Sequence, residues 1–205
     1  MLDNPPHSLL DLNNKNLPKF NIIKPQYDRS KLSPGIVHIG VGNFHRAHLS
    51  WYLHRLMQKN KNLDWGIIGS GVLNYDREMQ QKLKKQDFLT TLIELDPQGN
   101  KNCEIIGPMI DYASVESNNL SLINAMSDSR IRIVSLTVTE GGYFLDGENG
   151  DLDFTNPDIV NDINNPNSPK TVFGAIVYAL NIRRNNGHGP ITCLSCDNLI
   201  KNGDK

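Results

Sequence analysis

Charge imbalance is the first thing this 205-residue chain lacks: 21 lysines and arginines stand against 22 aspartates and glutamates. With no basic excess there is no broad positive field to gather nucleic acid or an anionic membrane, so the expected partner is a small molecule. Long apolar runs are missing too. No window reaches the roughly 18 uninterrupted apolar residues of a membrane span, and the opening MLDNPPHSLLDLNNKN has neither the basic flank nor the apolar run of a secretory signal. The expectation is a soluble, cytoplasmic protein. Three cysteines make no disulfide framework in a chain of this length, which agrees with a reducing compartment. Cys193 and Cys196 form a CxxC, but it lies in the apolar, strand-like run PITCLSC with no second ligand pair, which favours buried or half-buried thiols over zinc or redox chemistry.

What is present is an alternation. Residues 1–33 are polar, rich in Asn and Pro and without sustained periodicity, and read as an N-terminal arm lying over the surface. From residue 34 to 205, β-type runs alternate with helical patterns: 36–41 as strand, 44–58 as helix, 65–70 as strand and 76–85 as helix. Such alternation predicts parallel strands joined by crossover helices. Between Phe88 and Ile106 the runs FLTTLIELD and NCEIIG flank the turn cluster Pro97-Gln-Gly-Asn100, which predicts a β-hairpin excursion. A helix near 118–126, a strand over 131–139 and a glycine-containing loop follow. Pro157 fits the first turn of a short helix, Ser168-Pro169 starts a longer one ending at Gly187, and a last strand covers 191–195. The pattern as a whole is one α/β domain, expected to be cut at its C-terminal edge.

The stretch GIVHIGVGNFHRAH, residues 35–48, carries the chemistry. Gly40-x-Gly42 follows an apolar strand and precedes an amphipathic helix. There the first glycine permits a tight turn, and the second lets the backbone approach a pyrophosphate at the helix N-terminus. His45 occupies the place of a third glycine, so the six-residue pattern is incomplete, and an unliganded strand-to-helix turn is the other reading. His45 and His48 are spaced i, i+3, but no carboxylate falls nearby at ligand spacing, so no metal is expected. Arg46 either reaches phosphate as a fork-shaped donor or is a surface arginine. Asp76 is the first acidic residue after the second strand, where such folds hold a ribose, and it is equally placed to cap the following helix. Thr139 and Glu140, in TVTEGGY after the strongest strand, sit where open α/β sheets put their ligands.

Taken together, GIVHIGVGNFHRAHLSWYL, VSLTVTEGGY, NSPKTVFGAIVYAL and ITCLSCDNL resemble the mannitol dehydrogenase family of long-chain polyol dehydrogenases, over about residues 33 to 202. The resemblance implies a Rossmann-type, doubly wound domain that holds NAD, with NADP not excluded. It also implies metal-independent hydride transfer between the cofactor and a polyol or ketose, within polyol and mannitol metabolism. Gly40, Gly42, Asn43 and Phe44 match the family's cofactor loop, Arg46 its following arginine, and Asp76 the acidic residue near the adenosine ribose. Tyr75 stands where a second acidic residue is common, which weakens discrimination against a 2′-phosphate. Asn198 matches an asparagine that polarises the reacting oxygen. The family's catalytic lysine, with a supporting Asn and His, belongs to a helical C-terminal domain that these 205 residues do not contain. Association with that missing catalytic domain is therefore expected, and a non-catalytic dinucleotide- or protein-binding module is the alternative.

Overall fold

The computed structural model describes residues 12–15, 17, 22–59, 61–73, 75–147 and 150–204. About half of the arm expected at 1–33 lies outside them.

Seven strands occur among the described residues: β1 Pro34–Ile39, β2 Gly66–Ser70, β3 Thr90–Leu95, β4 Lys101–Ile106, β5 Met109–Ala113, β6 Ile133–Leu136 and β7 Thr192–Ser195. The helices are α1 Ser50–Met57, α2 Asp76–Lys85, α3 Leu120–Ser127, α4 Pro157–Asn164 and α5 Val172–Asn185. Five strands form one sheet in the order β5-β2-β1-β6-β7, with every pairing parallel. From β1 the chain winds outward through β2 to β5, then returns to the other side of β1 for β6 and β7. The winding direction therefore reverses between β1 and β6, which is the arrangement of a Rossmann-type fold and the place where such sheets take their ligands.

The two faces follow from strand periodicity. Val37 and Ile39 of β1 point to one face and join Leu122, Ile123 and Met126 of α3 and Ala175, Ile176 and Ala179 of α5. Ile36 points to the other face, with Ile67, Leu83 of α2 and Tyr112. Burying each of these large aliphatic chains contributes about 1.5–3 kcal/mol.

The hairpin prediction holds, because β3 and β4 pair antiparallel from Thr90↔Ile106 to Leu95↔Lys101 as a separate two-stranded sheet. Thr171 caps α5, its hydroxyl accepting from the Gly174 amide, and Asn156 caps α4 ahead of Pro157. Two differences are physical. The strand β5 has no counterpart in the sequence expectations, because MIDYA is five residues long with the exposed Asp111 in its middle; only pairing with β2 makes it a strand. The strand expected over 131–139 stops at Leu136, because the amides of Val138 and Thr139 donate to the Asp197 carboxylate rather than to a neighbouring strand.

Candidate functional site

The C-terminal ends of β1, β6 and β7 form a rim tied together by side chains. Gly40 leaves β1 with φ +97°, in the left-handed region, and a Cβ there would collide with the Thr137 carbonyl at the end of β6. Glycine alone fits both the dihedral and the space. The Thr137 hydroxyl donates to the Gly40 carbonyl at 2.6 Å. The Gly42 amide donates back to the same carbonyl at 2.7 Å, closing the turn. Gly42 differs from Gly40: a Cβ there would meet nothing nearer than the Gly40 carbonyl oxygen, 4.0 Å away. The space over Gly42 is thus a cradle that a side chain would fill, bordered by the first-turn amides of the helix that begins at Asn43. Those amides have no acceptor within the helix and favour an anion.

Beneath the loop lie two stacked, fully buried histidines, His38 and His45, with ring centroids 4.1 Å apart. His38 Nε2 lies 3.1 Å from the Gly40 carbonyl and Nδ1 lies 2.8 Å from Ser135 Oγ. A carbonyl can only accept, so Nε2 carries the proton. Burial pushes the His38 pKa down to about 4, against the Gly40 hydrogen bond and Asp197, which raise it. Burial likewise holds His45 well below the usual range, helped by His38 and Arg46. Both rings are neutral at pH 7. The place of the third glycine is therefore filled by an imidazole packed on β1, and the chain passes it in a single π-turn, His45–Leu49, before α1.

Arg46 is engaged inside the loop. Its guanidinium donates to the Val41 carbonyl at 3.0 Å and to Asn43 Oδ1 at 2.6 Å, bracing the turn from its α2 side. Phe44 is partly exposed and stacks on His48, 4.7 Å between ring centroids. Asp76 is the first residue of α2 and turns its carboxylate backward, so that Oδ2 accepts from the amides of Val72 and Leu73, each at 2.9 Å. It shapes the loop after β2 rather than capping the helix. Gly71 makes room for it, since a Cβ at 71 would strike the Asp76 side chain. Tyr75, beside it, is 70 % exposed.

Thr139 stands at the end of β6 with φ +64° and ψ 170°, a conformation that L residues rarely adopt. Glu140 opens a short 3₁₀ turn, Glu140–Tyr143, and its side chain lies outside the described residues. Asn198 is exposed just beyond β7. Of the expected residues, Gly40, Gly42, Asn43, Phe44 and Arg46 form one loop, and Thr139 stands across the β1/β6 break beside the Asp197-Asn198 segment. Thr137, Tyr143 and Asp197 were missed, because nothing in their local spacing announces that they tie strand ends together.

An apolar groove of about 600 Å³ lies elsewhere, between α4, α5 and the segment after Tyr143. Its lining of Leu152, Ile163, Phe173 and Val177 with Asp151 and Asp162 would repel a pyrophosphate, so the strand-end cleft is the better dinucleotide site. The thiols of Cys193 and Cys196 are free; Cys196 is half-buried as expected, but Cys193 is exposed because β7 is an edge strand, and partial desolvation raises both pKa values, leaving them poor nucleophiles.

A parallel sheet reversing at β1/β6, with a Gly-x-Gly turn opening a helix at the break, defines a dinucleotide-binding domain of the Rossmann class. Residues 34–205 match the mannitol dehydrogenase Rossmann domain, and the chain belongs to that family. Among its relatives, a mannitol 2-dehydrogenase of Cereibacter sphaeroides is 53 % identical over 183 residues, covering 89 % of this chain and 38 % of that protein. A polyol:NADP oxidoreductase of Gluconobacter oxydans is 40 % identical, covering 93 % and 39 %. The solved ternary complex of Pseudomonas fluorescens mannitol 2-dehydrogenase with NAD and D-mannitol superposes with a TM-score of 0.87 at 42 % identity, covering 94 % of this chain and 40 % of that one. The chain spans about two fifths of the length of these relatives.

Proposed function

We propose that this chain is the cofactor-binding part of a cytoplasmic NAD-dependent polyol dehydrogenase. The reaction moves a hydride from a secondary alcohol carbon of a polyol such as mannitol to the nicotinamide and releases a proton, or runs in reverse from the ketose. Residues 34–205 act as the dinucleotide-binding unit. Residues 1–33 serve as an N-terminal arm, whose described part is tied to the domain by Arg29, donating to the carbonyls of Asp87, Gly107 and Met109. Among the described residues no helix is long and apolar enough to cross a membrane.

The observation that carries the reading is the open approach above Gly42 at the head of a helix, on the sheet's switch point. The Gly42–His45 backbone receives the pyrophosphate. Asp76 Oδ1 accepts a hydroxyl of the adenosine ribose while Oδ2 keeps its two amides. Thr139 and Glu140 border the nicotinamide half, and Arg46 holds the loop in shape. The Asn198 amide donates to the oxygen that gains negative charge as hydride leaves, a contribution of about 2.7–4 kcal/mol in comparable sites. The general-base lysine and its Asn and His partners come from a helical domain outside residues 1–205, which closes the site over the substrate.

Calorimetric titration with NADH and NADPH, followed by a fructose-reduction assay on the same sample, tests this. Binding of NADH without turnover is the expected result. Tyr75 in place of a second carboxylate predicts only a modest preference for NADH over NADPH. Absence of binding by either cofactor contradicts the reading, and turnover contradicts the assignment of the base to another domain.

A further inference from the structure

The geometry points to Asp197 as a positioning residue for the nicotinamide half of the cofactor, an inference that rests on the cofactor reading above. Asp197 follows β7, yet its carboxylate works on the neighbouring strand end. Oδ2 accepts from the Val138 amide at 3.0 Å, and Oδ1 accepts from the Thr139 amide at 2.9 Å. Oδ2 also accepts from the Tyr143 hydroxyl at 2.9 Å, and Tyr143 in turn contacts the Ser195 hydroxyl. One carboxylate thus gathers three donors from the segment 138–143.

Two consequences follow. Thr139 is held at φ +64°, ψ 170°, where a β-branched residue is strained, by a charge-assisted bond to its own amide. Asn198 is the next residue after the clamp, so the same carboxylate sets its position on the rim. The clamp joins β6 to β7, the strands of the second mononucleotide-binding half, whereas Asp76 and the loop after β2 belong to the first half. Asp197 acts through these neighbours and touches no reacting atom. Tyr143 supports it as a donor. Burial raises its phenol pKa to about 12, with the Ser195 bond lowering and Asp197 raising it, so the phenol stays protonated at pH 7.

The test compares NADH with ADP-ribose, which lacks only the nicotinamide, on the full chain carrying Asp197→Asn. The amide keeps the shape but loses the charge and one acceptor. NADH affinity should fall about tenfold while ADP-ribose affinity stays within about twofold, and the fluorescence gain of bound NADH should shrink. Equal losses for both ligands, tracking a lower melting temperature, would reduce Asp197 to a structural role and overturn the inference, as would no loss at all. If Asp197→Asn fails to fold, Tyr143→Phe applies the same comparison by removing one donor, with a smaller loss confined to NADH expected and an equal or absent loss refuting it. A wild-type chain that binds neither ligand sinks the cofactor reading and this inference with it; wild-type binding with an unchanged variant sinks this inference alone.

Discussion

Replacing Gly42 with valine is expected to leave the chain folded, with a melting temperature within about 2 °C of wild type, and to weaken NADH binding by more than about 100-fold. Both halves come from the same geometry. Gly42 lies outside the positive-φ region, and its nearest non-neighbouring atom to an added Cβ is 4.0 Å away, so the fold accepts a side chain there. The isopropyl group then stands over the first-turn amides of the helix beginning at Asn43. It blocks the approach on which pyrophosphate binding depends, and several amide hydrogen bonds to a charged group are lost together, each worth about 1.5–3 kcal/mol. Circular dichroism and calorimetry on the same sample read the two effects. Wild-type affinity in a folded Gly42→Val chain removes this loop from the site.

Gly40→Ala should do the opposite and strike the fold. At φ +97° even alanine is strained by about 1–3 kcal/mol, and its methyl group would overlap the Thr137 carbonyl on the adjacent strand end. Relief requires β1 and β6 to separate where Thr137 Oγ1 bonds the Gly40 carbonyl and where the buried His38 bonds both. A total loss of about 3–5 kcal/mol is expected, near the upper end for a single substitution. In a chain of this size that lowers the melting temperature by about 6–20 °C. A urea midpoint equal to wild type would show that the contact between the two strand ends is not a constraint. The two glycines thus separate a residue that builds the switch point from one that leaves it open.

Much of this was legible in the sequence, for reasons that are local. The strand before Gly40, the helix after Gly42 and the turn at Pro97-Gln-Gly-Asn100 are each encoded by neighbouring residues, so periodicity and turn chemistry suffice to find them. The strand β5 was hidden because its identity depends on pairing with β2, whose partner residues lie 42 or 43 positions earlier in the chain. The Thr137 and Asp197 ties were hidden for the same reason: their partners lie 97 and 58 or 59 positions away. His45 looked only like a break in a glycine pattern. Its burial against His38 is a packing fact that spacing cannot express. Asp76 was singled out as a ribose or helix-cap residue, but the backward turn of its carboxylate onto the loop amides required Gly71, whose part is visible only in three dimensions.

Hydrogen exchange with and without saturating NADH locates the dinucleotide on the protein. A dinucleotide on the strand ends slows exchange in the Gly40–Arg46 turn, in the loop from Gly71 to Asp76, and along the rim formed by Val138 to Tyr143 and Asp197-Asn198. Protection concentrated instead along the groove between α4 and α5, with the Gly40–Arg46 amides unchanged, would contradict this location.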